Sequence, residues 1–179
     1  FPTRRSSDLE VLKACRILHE KGEHIVFEVS GPLTILNVLI DPKYVFKGMR
    51  KKPEFMERIF AKLGKEILAY MKLAKEQGAD FISYADSSGG VNILGPKMAE
   101  QMVNLFTYDF VKQAGKLADE HTMILLCPKT TFALLGTGKA KLIDCQIHDD
   151  RSQEEDSLSY AEACIQMKGK IRFAGQMCI

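Results

Sequence analysis

One short stretch of the chain combines the pattern of a buried strand with side chains that could bind a substrate. Residues 78–90 read GADFISYADSSGG, an apolar run that ends in Asp86, Ser87, Ser88 and two glycines. A carboxylate and hydroxyls supply hydrogen bonds, and glycines add backbone freedom beside them. We therefore take Asp86 and Ser87 as candidate catalytic residues that position substrate groups.

Polar or thiol side chains recur where the other predicted strands end. In chain order they are Ser30 and Gly31, Cys127 and Lys129, Cys145 and His148, and finally Cys178. Parallel α/β folds carry their chemistry at the carboxyl ends of their strands, so we take Ser30, Gly31 and Lys129 as candidate substrate-binding residues. The alternative is that polarity simply resumes wherever a buried strand ends. Lys129 either reaches a substrate carboxylate or phosphate from this edge or lies exposed in a loop.

Alternating helix and strand patterns position these residues. Helical spacing of apolar residues predicts helices over 10–21, 53–76, 96–119 and 153–167, with a short helical turn at 132–138. Apolar runs predict strands over 24–32, 79–86, 122–127, 140–147 and 171–179. Five such strands separated by helices indicate a parallel sheet covered on both faces. A doubly wound sheet and a (β/α)8 barrel both fit, but a barrel needs about 250 residues, so this chain would hold part of one.

Composition excludes several classes of protein. The chain has 46% hydrophobic and 27% charged residues, which is a globular profile. Its formal charge is +2 with both signs scattered, so we expect neither nucleic-acid nor membrane binding. No signal peptide pattern opens the chain, and its five cysteines are an odd number, which favours reduced thiols over disulfides. These features predict a cytoplasmic protein.

The first nine residues, FPTRRSSDL, match the translation of a sequencing-library adapter and carry no useful apolar period. We therefore divide the chain into a non-native segment, 1–9, and a partial barrel domain, 10–179. A chain that begins in adapter sequence is expected to be cut from a longer reading frame. We expect such a piece to be poorly soluble and inactive alone, because missing strands leave open sheet edges.

The chain resembles the uroporphyrinogen decarboxylase superfamily, which also contains the methylcobalamin:coenzyme M methyltransferases. The resemblance covers residues 24–179 and rests on the order and separation of five stretches, which are SGPLTIL (30–36), KKPEFMERIFAKL (51–63), GADFISYADSSGGVNILGP (78–96), LLCPKTTFALL (125–135) and GKIRFAGQMCI (169–179). Members are complete (β/α)8 TIM barrels. The resemblance thus implies an incomplete α/β barrel of about five parallel strands that lacks strands at both ends.

Individual residues indicate which branch of the superfamily the chain resembles. Where decarboxylases carry a substrate-contacting Tyr this chain has Val38, and Asp86 replaces their usual Glu, although Ser87 matches their strand-end Ser. The methyltransferase branch carries a His-x-Cys-Gly-like zinc motif, whose cysteine falls on Cys127. Its histidine falls on Leu125.

The zinc motif is therefore only partly preserved. Its glycine falls on Pro128, and a third ligand would lie beyond Ile179. Cys145, His148 and Cys178 are possible substitute ligands. A catalytic zinc would turn a small thiol into a thiolate able to accept a methyl group. The alternative for Cys127 is a buried residue that acts as a small hydrophobe without a metal.

Three functions follow from the resemblance. The first is a methyltransferase that moves a methyl group from a corrinoid, carried by a corrinoid-binding partner protein, to a zinc-activated small thiol, with Asp86 and Ser87 positioning substrate or corrinoid groups. The second is a carboxy-lyase of porphyrin biosynthesis that decarboxylates a tetrapyrrole without metal or cofactor. The third is a barrel that binds such a ligand without turnover. The oligomeric state stays open between monomer and homodimer.

Overall fold

The computed structural model describes residues 6–147 and 159–175, which form an α/β fold around four parallel strands. The strands are β1 (Val26–Ser30), β2 (Phe81–Ala85), β3 (Met123–Leu126) and β4 (Phe173–Gly175). They lie in the order β1-β2-β3-β4, and every neighbouring pair is parallel. A doubly wound sheet reverses its strand order at a switch point. The described strands show no reversal, which is typical of consecutive strands of a barrel.

Nine α-helices occupy the described ranges of the chain. They are α1 (Ser6–Glu20), α2 (Pro32–Leu39), α3 (Pro42–Lys51), α4 (Pro53–Glu76), α5 (Val91–Leu94), α6 (Pro96–Met102), α7 (Tyr108–Ala114), α8 (Pro128–Gly136) and α9 (Tyr160–Met167). Five of them begin with a proline, whose fixed φ and missing N–H suit the first helical position. The sequence thus marks most helix starts directly.

The predicted helices agree with the structure to different degrees. Helix 53–76 is confirmed residue for residue as α4. The helix predicted over 96–119 is divided, because a π-helical segment, Val103–Thr107, joins α6 to α7 and a 3-10 turn follows. Helix α1 begins at Ser6, so residues 6–9 of the adapter-like segment continue this helix. The non-native origin of 1–9 stays a prediction.

The strand predicted over 140–147 is wrong. Residues 141–147 have no regular secondary structure, and Leu142 and Ile143 are 82% and 78% exposed. The edge of β3 that this segment would need is taken by β4, through pairs such as Ile124 with Phe173. The described sheet therefore has four strands rather than five, and β4 is the strand predicted over 171–179.

Two apolar clusters cover opposite faces of the sheet. The larger contains Phe27, Ile82 and Ile124 and lies between the strands and helices such as α4 and α7. The smaller contains Phe81, Met123, Leu125 and Cys164 and is covered by α9. On the face of the smaller cluster, every second residue of β1 is exposed, so this face of the sheet is only partly covered.

Helix α9 begins at a capping box in which the Ser159 and Glu162 side chains each bond the other residue's backbone N–H. Its predicted range, 153–167, is confirmed from residue 160 onward, and 153–158 lie outside the described residues. Among the helices described, none combines the length and the apolar character needed to cross a membrane.

Candidate active site at the carboxyl ends of the strands

The carboxyl ends of β1, β2 and β3 meet at one edge of the sheet. Gly31 N donates to Ala85 O at 2.9 Å, and Cys127 N donates to Tyr84 O at 3.0 Å. These bonds continue the parallel register past the last paired residues. The Asp86 carboxyl and the Cys127 sulfur therefore lie at the same end of the sheet, as the parallel-strand interpretation required.

The Asp86 side chain binds the first turn of α2. Asp86 Oδ1 accepts hydrogen bonds from Thr34 N at 2.8 Å and Thr34 Oγ1 at 2.9 Å, and Oδ2 accepts from Leu33 N at 3.4 Å. The N-cap residue of α2 is Gly31, which has no side chain to form such a bond. Asp86 thus caps a helix from the neighbouring strand, which satisfies N–H groups that a helix leaves free.

Burial dominates the electrostatics of Asp86. Its side chain is almost fully buried, at 3% exposure. Burial raises the pKa of the Asp86 carboxyl, and the hydrogen bonds from Thr34 and Leu33 offset that rise only in part. None of the described cations forms an ion pair with it. Both oxygens already accept bonds from α2, so Asp86 is placed to organise the site from beneath.

Gly31 allows the ends of β1 and β2 to approach closely. A Cβ at Gly31 would lie 2.3 Å from Asp86 Cβ and 2.7 Å from the Tyr84 hydroxyl. Such distances leave no room for a side chain. Gly31 is buried, so its contribution is close approach of the backbone, whereas the preceding Ser30 is exposed.

Ser87, in the loop after β2, and Lys129, in the first turn of α8, lie at the same edge. Ser87 is half-buried and opens a 3-10 turn, Ser87–Gly89, that is held by Ser88 N donating to Thr34 Oγ1 at 3.2 Å. The half-buried Lys129 packs its stem against this loop, because a Cβ at Gly90 would lie 3.0 Å from Lys129 Cβ. The catalytic and binding roles of these residues stay predictions.

Cys127 is a half-buried free thiol at the end of β3. It is the N-cap of α8, and its Sγ accepts from Thr130 N at 3.5 Å. The Thr130 hydroxyl lies 3.2 Å from the same sulfur. Thr130 Oγ1 also accepts from Asp86 N at 3.4 Å, so one side chain bridges the two predicted site residues.

Three residues of this edge were not predicted from sequence, namely Thr34, Tyr84 and Thr130. Tyr84 is fully buried, and its hydroxyl has no hydrogen-bond partner within the described residues. Burial raises the pKa of Tyr84 well above its usual range, with the nearby Asp86 and Cys127 adding to the rise. The sequence offered one signal for Tyr84. Side chains two positions apart on a strand point to the same face, and Tyr84 lies two residues before Asp86.

The described residues do not form a zinc site. No group of three histidine, cysteine or acidic side chains comes together within 6–147 and 159–175. Cys145 is exposed in the irregular segment 141–147, so its predicted place at a strand end is wrong. His148 and Cys178 lie outside the described residues. Within the described ranges, Cys127 stands as a single candidate ligand.

Comparison with known proteins gives the class to which this fold and site belong. The model of the uroporphyrinogen decarboxylase (URO-D) family matches residues 5–173, so the chain belongs to that family. Its four parallel strands are consistent with part of the family's barrel. No curated protein is significantly similar to the chain.

A solved structure, a methyltransferase from Methanosarcina mazei, is similar in fold. It has a TM-score of 0.55 and 23% sequence identity, and the match covers 65% of this chain. The same match covers 34% of that methyltransferase, so this chain spans about a third of its length. At this identity the similarity concerns the fold alone.

Proposed function

We propose that this chain is part of a methyltransferase of the uroporphyrinogen decarboxylase family that transfers a methyl group from a corrinoid to a small thiol. The corrinoid would be carried by a corrinoid-binding partner protein. The observation that carries the proposal is the half-buried Cys127 sulfur at the strand-end edge, joined through Thr130 to Asp86. The methyltransferase fold of the structural neighbour agrees with it.

The residues of the edge divide into two groups under this proposal. Asp86 and Thr130 are both 3% exposed and hold the ends of β1, β2 and β3 together from within. Ser30, Ser87 and Lys129 are at least partly exposed and can contact the ligand with two hydroxyls and an ammonium group. A zinc ion remains a prediction of the resemblance that would need ligands from outside the described residues.

The test is methyl transfer by a full-length version of the protein, with methylcobalamin as donor and coenzyme M as the thiol. We expect transfer, and we expect Cys127→Ala to lower its rate by about 100-fold or more, as removal of a group that contacts the reacting atoms does. Cys145→Ala is the matched control, because Cys145 is an exposed free thiol in the irregular segment 141–147. Full activity of Cys127→Ala would contradict the proposal.

A second candidate is a carboxy-lyase acting on uroporphyrinogen. Two observations favour it, which are the match to the decarboxylase family and the lack of a three-ligand group among the described residues. Decarboxylation of uroporphyrinogen by the full-length protein, unaffected by chelators and by Cys127→Ala, would select it.

A third candidate, binding without turnover, is favoured by the engagement of both Asp86 oxygens with α2. Tight corrinoid binding by a full-length version, measured by absorbance titration without either reaction, would select it.

A further inference from the structure

Thr130 joins the ends of β2 and β3 through its hydroxyl. Its oxygen lies 3.4 Å from Asp86 N and 3.2 Å from Cys127 Sγ. A backbone N–H can only donate, so the oxygen accepts from Asp86 and leaves its own hydrogen available for the sulfur. The backbone N of Thr130 lies 3.5 Å from the same sulfur. One residue therefore contacts Cys127 Sγ through both its hydroxyl and its backbone N–H.

The contacts continue beyond Thr130 into α2. Asp86 accepts two bonds from Thr34, and Gly31 leaves no free space beside Asp86. Both Thr130 and Asp86 are 3% exposed, so packing holds their side chains in place. These contacts therefore connect the Cys127 sulfur to β2 and α2 as well as to its own helix.

We propose that Thr130 is a positioning residue whose hydroxyl fixes the direction in which the Cys127 sulfur faces the strand-end site. The proposal rests on the proposed function, in which Cys127 contacts the reacting groups. Because Thr130 is 3% exposed, it would act through the sulfur and not by contacting substrate. If Thr130 only supplied the backbone N–H that Cys127 caps at the start of α8, its hydroxyl would be dispensable for the sulfur.

The neighbouring threonine provides a matched control. The Thr131 hydroxyl is buried but has no hydrogen-bond partner in the described part of the chain. Thr130→Val and Thr131→Val remove the same atom from adjacent positions of α8, and both keep the side-chain volume. Thr130→Ser keeps the hydroxyl and tests rescue. The probe is the Cβ signal of Cys127 in protein labelled with ¹³C-cysteine, assigned by its loss in Cys127→Ser.

We expect Thr130→Val to shift or split the Cys127 signal, whereas Thr130→Ser and Thr131→Val leave it unchanged. In the methyl-transfer assay of the full-length protein, we expect Thr130→Val to lower kcat by roughly fivefold, the equivalent of one hydrogen bond, and Thr130→Ser to restore it. An unchanged Cys127 signal in Thr130→Val, or an equal shift in Thr131→Val, would overturn the proposal.

Two further measurements distinguish a specific effect on Cys127 from a loss of fold and from a failure of the proposed function. The buried Cys15 and Cys164 belong to the two different apolar clusters, and their signals report a general loss of fold. If Thr130→Val loses its fold, Thr130→Ala replaces it and Thr130→Ser must still leave the Cys127 signal in place. If native full-length protein transfers no methyl group, the proposed function fails, while the Cys127 signal still decides the role of Thr130.

Discussion

The two ends of β2 each carry a buried aspartate, and the fold treats them in opposite ways. Asp80, before the strand, forms an ion pair with Lys168 and accepts from Ile25 N at 3.0 Å. Asp86, after the strand, has no ion pair with any described cation, and the donors to its carboxyl are neutral groups of Thr34 and Leu33 in α2. Their exposed fractions are 8% for Asp80 and 3% for Asp86.

The difference appears in the pKa values of the two carboxyl groups. Burial raises the pKa of Asp80, but hydrogen bonds from Lys168 and Ile25 and the charge of Lys168 outweigh it, so the net shift is downward. For Asp86 burial prevails and the pKa is raised. A carboxylate neutralised at the amino end of a strand serves stability, whereas an unpaired one at the carboxyl end lies where parallel folds place their chemistry.

The largest effect is expected from a methyl group added beside Asp86. Gly31→Ala would place a Cβ 2.3 Å from Asp86 Cβ, so strand ends must separate, and we expect a loss of at least about 3 kcal/mol in the free energy of unfolding. Urea unfolding measures it. Gly136→Ala is the control, because no atom lies within 4 Å of the added Cβ, and it should change stability by less than about 1 kcal/mol. Equal effects would contradict the close approach.

At the other end of β2, Lys168→Ala leaves the Asp80 carboxylate buried without its cation. We expect a loss of about 2 to 3 kcal/mol, since the two side chains are 18% and 11% exposed and so incompletely buried. The exposed Lys170, two residues on, provides the control variant Lys170→Ala. Adding Asp80→Asn to Lys168→Ala should recover part of the loss. If it recovers none, the unpaired charge is not the cause.

The bond between Asp86 and α2 is tested by Thr34→Val. This change removes the donor to Asp86 Oδ1 at 2.9 Å and the acceptor for Ser88 N at 3.2 Å. We expect a loss of about 1.5 kcal/mol, typical of two partly buried hydrogen bonds. Thr34→Ser keeps the hydroxyl and should keep most of the stability. Equal losses in the two variants would show that the methyl group, not the hydroxyl, matters.

The two aspartates also predict opposite pH dependences of stability. Asp80 has a pKa below its usual 3.8, so it contributes stability above that pH, which is lost as the pH falls through the folded-state value. Asp86 has a raised pKa, so its contribution is present below pH 3.8 and is lost as the pH rises through the folded-state value.

Unfolding free energies of the full-length protein from pH 2 to 7 test this contrast. Asp80→Asn should remove the loss of stability that occurs as the pH falls. Asp86→Asn should remove the loss of stability that occurs as the pH rises. The same slope in both variants would contradict the contrast.

The smallest effect is expected from Tyr84→Phe. The Tyr84 hydroxyl is buried beside Asp86 without a hydrogen-bond partner in the described part of the chain. Removing an unpaired buried hydroxyl also removes the cost of keeping it away from water. We therefore expect the free energy of unfolding, measured by heat or urea, to increase by up to about 1 kcal/mol. A loss greater than about 1 kcal/mol would indicate that the hydroxyl has a partner elsewhere in the protein.

Much of the fold was predictable because local signals were strong. The prolines at 53 and 96 and the apolar face of 53–76 predicted the start of α6 and the whole of α4. The failure at 140–147 has a different origin. An apolar run becomes a strand only if a neighbouring strand edge is free, and the partner of Ile124 is Phe173 instead. The apolar run is visible in the sequence, but which segment pairs with the edge of β3 is not.

The candidate site was predictable only in outline. Parallel strands predicted that Asp86 and Cys127 share an edge, and the structure places both there. Their links through Thr34 and Thr130 were missed, because a threonine has the same local pattern whether or not its hydroxyl meets a partner more than 40 residues away.

The chain's own order of residues determined the alternation of helices and strands and the polar ends of those strands, because apolar periodicity and proline positions act over a few residues. Only the tertiary structure decided that one β2 aspartate meets Lys168 while the other meets the first turn of α2. Burial and charge pairing depend on which distant segments pack together. An aspartate side chain is therefore a stabilising ion at one end of the strand, and at the other end it is an unpaired group with a raised pKa.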